Sequence, residues 1–236
     1  MPRDERRRQK ALARKASRRK EKKQVSVSQD APARRIGLRA AADWPLHECV
    51  VSKTWKEPGE LVQILVARSA GNEIASAGFL VDLGCLGVKD ALSHVLSRRD
   101  YEGFRQSFTS LQPMMRADLN LAAKIVQEAI AYAQRLGFSP RPDYNAAAPL
   151  LADADPSACR TEIPLGIEGK PFFVPGPHDN IAKITKQLER AVGSGNFHYV
   201  FEIAAPIDAV ESLGEEEEPD EPPTSLFPRL LRRLRP

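Results

Sequence analysis

Hydrophobic and polar positions divide the chain into alternating, helical and unpatterned stretches. Residues 47–53 alternate and are rich in valine, which predicts a half-buried strand. The Pro58-Gly59 pair marks a turn, and residues 61–68 predict a second strand antiparallel to the first. A turn at Ala70-Gly71-Asn72 leads into a third strand over 73–83. That run is more apolar than the second, which places it centrally in a sheet. Gly78 within it marks a bulge or a close neighbour.

After Gly87 the period becomes helical: Val88, Leu92 and Val95 or Leu96 fall on one face. A second short helix is predicted over 101–111, with Tyr101, Phe104 and Phe108 as its stripe. The clearest helix spans 118–136, with Asp118 suited to the N-cap and Gly137 to the stop. Ser139-Pro-Arg-Pro142 is a rigid turn, and residues 143–151 begin another short helix with Asp143 as its cap. Two short strands follow at 162–165 and 171–174, then a helix at 180–192 and a closing strand at 197–203. Ile181, Ile184, Leu188 and Val192 form the inward face of that helix. The pattern predicts an α+β domain over 41–205 in the order β-β-β-α-α-α-β-β-α-β. This is a mostly antiparallel sheet with helices packed on one face, flanked by disordered charged tails.

Charge sets the tails apart. Residues 1–23 carry 12 Lys/Arg against 3 Asp/Glu, residues 215–221 carry 6 acids, and residues 226–236 carry 4 arginines. The body, 24–214, holds 19 basic and 22 acidic residues, so the overall +4 describes the tails and not the globular surface. Residues 1–40 are therefore a basic tail and linker, too poor in apolar side chains to offset their ordering entropy. Residues 206–236 form an acidic, Pro-rich linker ending in a short basic amphipathic segment at 226–234. A basic tail attracts polyanions, RNA or the ribosome first among them in a cytoplasm. Its candidate phosphate-binding residues are Arg6, Arg7, Arg8, Arg14, Lys15, Arg18, Arg19, Lys20, Lys22 and Lys23. It holds no aromatic residue, so contacts would be to phosphates and not to bases. The alternative is a solubilising tail with no specific partner, and a protein partner for the chain is also open.

No apolar run approaches the roughly 20 residues of a membrane span, and the charged start lacks the apolar region of a signal peptide. Cys49, Cys85 and Cys159 are few and widely spaced, a pattern of buried thiols in a reducing compartment. A cytoplasmic location is expected.

The densest set of reactive side chains lies in 77–92. A thiol in the Gly84-Cys85-Leu86-Gly87 turn, ahead of a helix, would feel the positive end of the helix dipole, and Lys89 would add to it. Asp82, Cys85 and Lys89 are the candidate catalytic residues of a small cysteine-dependent enzyme with an unassigned substrate. Nucleophile-elbow spacing is missing, because Gly84 adjoins the cysteine. The bases nearest in sequence are His47 and His94, and nothing in the sequence holds either one close. A buried cysteine filling space behind a turn is the simpler reading. His47 and Cys49, two apart on a strand, would face the same way, with Cys85 and His94 as further metal donors. One short-spaced pair is not a zinc signature, and no metal or cofactor is expected. Gly169-Lys170 does not make a phosphate loop, because Pro171 replaces the required hydroxyl residue. Asp82 with Asp90, and Asp143 with Tyr144, are the acid–base pairings open to the chain; Arg135 and Arg141 are further phosphate candidates.

The stretches Trp44-Pro-Leu-His-Glu-Cys49, Val81-Asp-Leu-Gly-Cys-Leu-Gly-Val-Lys-Asp90, Leu136-Gly-Phe-Ser-Pro-Arg-Pro-Asp-Tyr144 and Gly169-Lys-Pro-Phe-Phe-Val-Pro-Gly-Pro-His-Asp179 together resemble an uncharacterised bacterial protein family with a basic N-terminal tail. The resemblance covers about residues 43–203. It carries no catalytic assignment and implies a cytoplasmic protein with one folded body. The first expectation is thus a non-enzymatic nucleic-acid- or ribosome-associated protein, and the alternative is an enzyme centred on Cys85.

Overall fold

A computed structural model describes residues 38–177 and 179–200. The tail expectations, including every tail arginine and lysine named above, lie outside the described residues. Within them the fold is α+β, built on a mostly antiparallel five-stranded sheet. Its strands are β1 (Leu46–Ser52), β2 (Leu61–Ala70), β3 (Glu73–Asp82), β4 (Gly87–Ser97) and the short β5 (Met114–Arg116), in the spatial order β4-β3-β2-β1-β5. Helix α1 is Arg98–Thr109, α2 is Leu119–Arg135, α3 is the single turn Tyr144–Ala147, and α4 is Ile181–Val192. Two residues each make β6 (Phe172–Phe173) and β7 (His198–Tyr199), which pair in parallel as a separate small sheet.

The helix expected after Gly87 is a strand. β4 pairs antiparallel with β3 along its whole length, and the register shifts where Leu80 meets Asp90 and Val81 meets Val88. Lys89 is the extra residue of that bulge. A bulge resets strand alternation by one position, so Val88 and Ala91 reach the same face three residues apart. Leu92 and Leu96 reach the other face. A strand buried on both faces, with its phase broken once, thus imitates helical spacing.

Helices cover both faces of the sheet, not one. Tyr101, Phe104 and Phe108 of α1 pack on Val50, Leu65, Ile74 and Leu80. On the opposite face α2 presents Ala122, Ile125, Val126 and Ala129 to Val51, Ile64, Phe79 and Val81. Gly78 marks a close neighbour: a Cβ there would meet the Phe108 ring at 2.6 Å. The Asp118 side chain accepts a hydrogen bond from the Asn120 amide at 2.7 Å, capping α2 as expected.

The 143–151 segment gives only one α-turn and then tightens to 3-10 geometry over Ala148–Leu151, where Pro149 lacks the amide an α-ladder requires. Asp143 makes no capping bond. Of the two strands expected at 162–165 and 171–174, the first runs without a ladder partner, and between them lies only a tight turn closed by Ile167 and Lys170. The β6 unit stays outside the main sheet but is tied to the β3–β4 turn, since the Phe172 amide donates to the Gly84 carbonyl at 3.0 Å.

Candidate functional site

The β3–β4 turn is closed by its own aspartate. Asp82 Oδ1 accepts from the amides of Cys85 at 2.8 Å and Leu86 at 3.3 Å. Burial pushes the Asp82 carboxyl above the ordinary carboxylate range, while these amides and the Lys89 charge pull it back less strongly. A Cβ on Gly84 would collide with the Phe172 carbonyl oxygen, so the close approach of β6 requires glycine there.

Cys85 is fully buried beneath this turn. Burial, reinforced by the Asp82 charge, pushes its thiol far up and holds it protonated. The residue precedes a strand, so no helix dipole acts on it. The structure does place Asp82, Cys85 and Lys89 together, but the Lys89 ammonium is engaged by Asp179 Oδ2 at 2.6 Å. The two candidate bases lie elsewhere: His47 packs edge-on to Tyr101 and His94 to Phe104, both on the α1 face. The geometry is that of a structural turn and not of an activated nucleophile.

His47 and Cys49 do not face the same way. The β1–β2 register shifts between Leu46 and Glu48, and this bulge sends His47 toward α1 while Cys49 enters the α2-side core. Burial pushes the Cys49 thiol up to about 12. Among the described residues no three histidine, cysteine or acidic side chains gather as metal ligands. Asp90 Oδ1 accepts from the Ala91 amide within β4, while Asp82 Oδ1 serves the turn amides.

The bulge aims Lys89 at the segment that leads into α4. Asp179, its partner, also accepts from the Gly176 amide at 2.7 Å. Asp179 is thereby taken up outside the helix, and Asn180 Oδ1 caps α4 through the Lys183 amide at 2.9 Å. Cys85 and Leu86 join Leu136, Phe173 and Leu188 in a third apolar cluster, with Phe138, Ile184 and Val192 packed around it. The turn is thus the floor on which α4 rests.

Between the end of α2 and α4 lies a cleft of about 360 Å³, lined by Gly137, Phe138, Lys183, Ile184, Lys186, Gln187 and Arg190. Gly137 has φ of 86° and ends α2 as expected. The Gly137 amide donates to the Gln134 carbonyl and the Phe138 amide to the Ala133 carbonyl, at 3.0 and 2.9 Å. This pairing is a Schellman motif, and it fixes where Phe138 leaves the helix. Across the cleft Gln187 Nε2 donates to the Leu136 carbonyl at 2.9 Å, and Gln187 Oε1 accepts from Arg190 at 3.1 Å. A Cβ on Gly137 would overlap Gln187 Nε2.

Lys183, Lys186 and Arg190 are all exposed, and no carboxylate lines the cleft. Spacings of three and four residues put all three on one side of α4. That spacing is present in the sequence, interleaved with the apolar stripe of Ile181, Ile184, Leu188 and Val192. Arg135, weighed as a phosphate ligand, lies over the Tyr132 ring at 5.4 Å, and the Arg141 amide donates to the Val88 carbonyl. A second, more open hollow runs along 161–168 and mixes Lys56 with Glu162 and Glu168, so it has no single sign of charge.

No helix among the described residues is long and apolar enough to cross a membrane. Comparison with family models, curated proteins and solved structures finds no match to this chain.

Proposed function

We propose that the chain is a non-enzymatic binding protein for nucleic acid, alone or within the ribosome, and that phosphate contacts dominate its affinity. The observation that carries this reading is the cleft beside α4, where Lys183, Lys186 and Arg190 stand exposed with no carboxylate in the lining. The remainder of the body is slightly acidic, so cations gathered at one cleft define a direction of approach for a polyanion. The basic tail, from Arg6 to Lys23, adds phosphate contacts, and the acidic run at 215–221 competes with nucleic acid for it.

The test is a titration of a fluorescent single-stranded RNA with the full chain and with a variant lacking residues 1–23, each over a range of salt. Affinity should fall steeply with salt, by about 0.7 power of salt for each phosphate neutralised on a single strand. The truncated variant should bind more weakly and with a shallower salt slope. Unchanged affinity and slope after truncation would sink the tail's role, and no binding by the full chain would sink the reading altogether.

A further inference from the structure

Building on that reading, we propose that the cleft between α2 and α4 is a subsite for one nucleotide of single-stranded nucleic acid. The face of Phe138 takes the base, and Lys183, Lys186 and Arg190 take the flanking phosphates.

Three observations support this assignment. The cleft has ligand size, since about 360 Å³ falls within the roughly 300–1,000 Å³ of small-molecule pockets. Its walls are held in place before any ligand arrives. The Schellman motif sets Phe138, the Asn180 cap and the Lys89–Asp179 pair set the start of α4, and Gln187 bridges the two walls through the Leu136 carbonyl. The chemistry is also mixed in the way single strands require. Phe138 is half-buried, rests on the Leu136–Leu188 cluster, and has no aromatic or cationic stacking partner among the described residues. Lys183, Lys186 and Arg190 of α4 line the same cleft.

An aromatic face next to cations recognises a base and its phosphates together, tolerant of which base is present. Duplexes do not qualify, because their bases are already stacked and a one-nucleotide cleft is closed to them. The subsite supplies what the basic tail lacks, since residues 1–23 contain no aromatic side chain. Arg190 is oriented for this task by its bond to Gln187 Oε1. Lys183 and Arg190 stand about 10 Å apart along the helix axis, room for more than one phosphate.

The experiment measures binding of the full chain to a labelled RNA dodecamer, to the same sequence as DNA, and to the corresponding duplex. Phe138→Ala should weaken single-strand binding about tenfold, the worth of one stacked base, leave the salt slope unchanged and leave duplex binding unaltered. Replacing Lys183, Lys186 and Arg190 together by glutamine should weaken binding and flatten the slope. Phe138→Trp should retain affinity, and its emission should be quenched when either single strand is added. This variant keeps the apolar contacts below the ring, so the test survives if Phe138→Ala does not fold. Unquenched Trp emission at saturating RNA, or equal loss of single-strand and duplex binding in Phe138→Ala, overturns the subsite. If truncation of the tail weakens binding while every cleft variant binds as the parent does, the nucleic-acid reading stands and the subsite falls.

Discussion

In the five-stranded sheet, β2 buries seven consecutive residues from Val62 to Arg68 and β3 buries nine from Ile74 to Asp82. In the layer made by β6, β7 and α4, the strands have two residues each and α4 fully buries Leu188 alone. The first region is covered on both faces and closed by long ladders. The second hangs on a small cluster, the Lys89–Asp179 pair and a few backbone bonds to the β3–β4 turn. Burial of nearly every side chain leaves a central strand nothing to offer a ligand. A helix buried along one stripe keeps the rest of its surface for charge, and the cationic cleft sits there. Stability and display are separated in this molecule, and the turn at 82–87 joins them.

The largest effect is expected at Phe79, fully buried at the middle of β3. Phe79→Ala should cost about 3–5 kcal/mol and lower the midpoint of the whole urea transition. A transition confined to one part of the chain would show that the sheet is not the stabilising unit.

A smaller effect is expected at Lys89, whose side chain is 6 % exposed and paired with one 13 % exposed. Lys89→Met should cost about 3 kcal/mol by stranding the Asp179 carboxylate in a buried site. Hydrogen exchange should rise over Ile181–Val192 before it rises in β2 or β3. Lys89→Met combined with Asp179→Leu should recover much of the loss, since no charge is then stranded. Exchange rising equally in sheet and helix would remove the distinction between the two regions.

The smallest effect concerns Asp82 and pH. Its carboxyl lies above the ordinary range in the folded protein because of burial, so the fold holds that proton more tightly than the unfolded chain does. The stability it contributes is complete below the unfolded carboxyl pKa of about 3.9 and is lost as pH rises through the folded value. Asp82→Asn keeps an oxygen for the Cys85 and Leu86 amides and carries no such loss. The variant should therefore gain on the parent as pH rises from 4 to 7.5, measured by urea unfolding at each pH. Identical pH profiles would show that the turn carboxylate is not desolvated. Asp82→Ala, which removes the acceptor, should cost about 1–2 kcal/mol at either pH.

Local pattern alone specified β1, β2, β3, α2 and α4, together with the Asp118 cap and the Gly137 stop. Each depends on neighbours within a few positions: alternation, three-and-four spacing, a short polar side chain, a residue free to take positive φ. Two bulges, by contrast, were decided by the tertiary fold. At His47 the bulge separates two donors that simple alternation would align. At Lys89 it makes a strand read as a helix and turns an ammonium toward Asp179, 90 residues away in the chain. The sequence also left unstated which wall would face α4, because Lys183, Lys186 and Arg190 form a cleft only once Phe138 is held opposite them. Register and side-chain aim are settled by partners distant in sequence, and a single chain read from end to end carries no record of who those partners are.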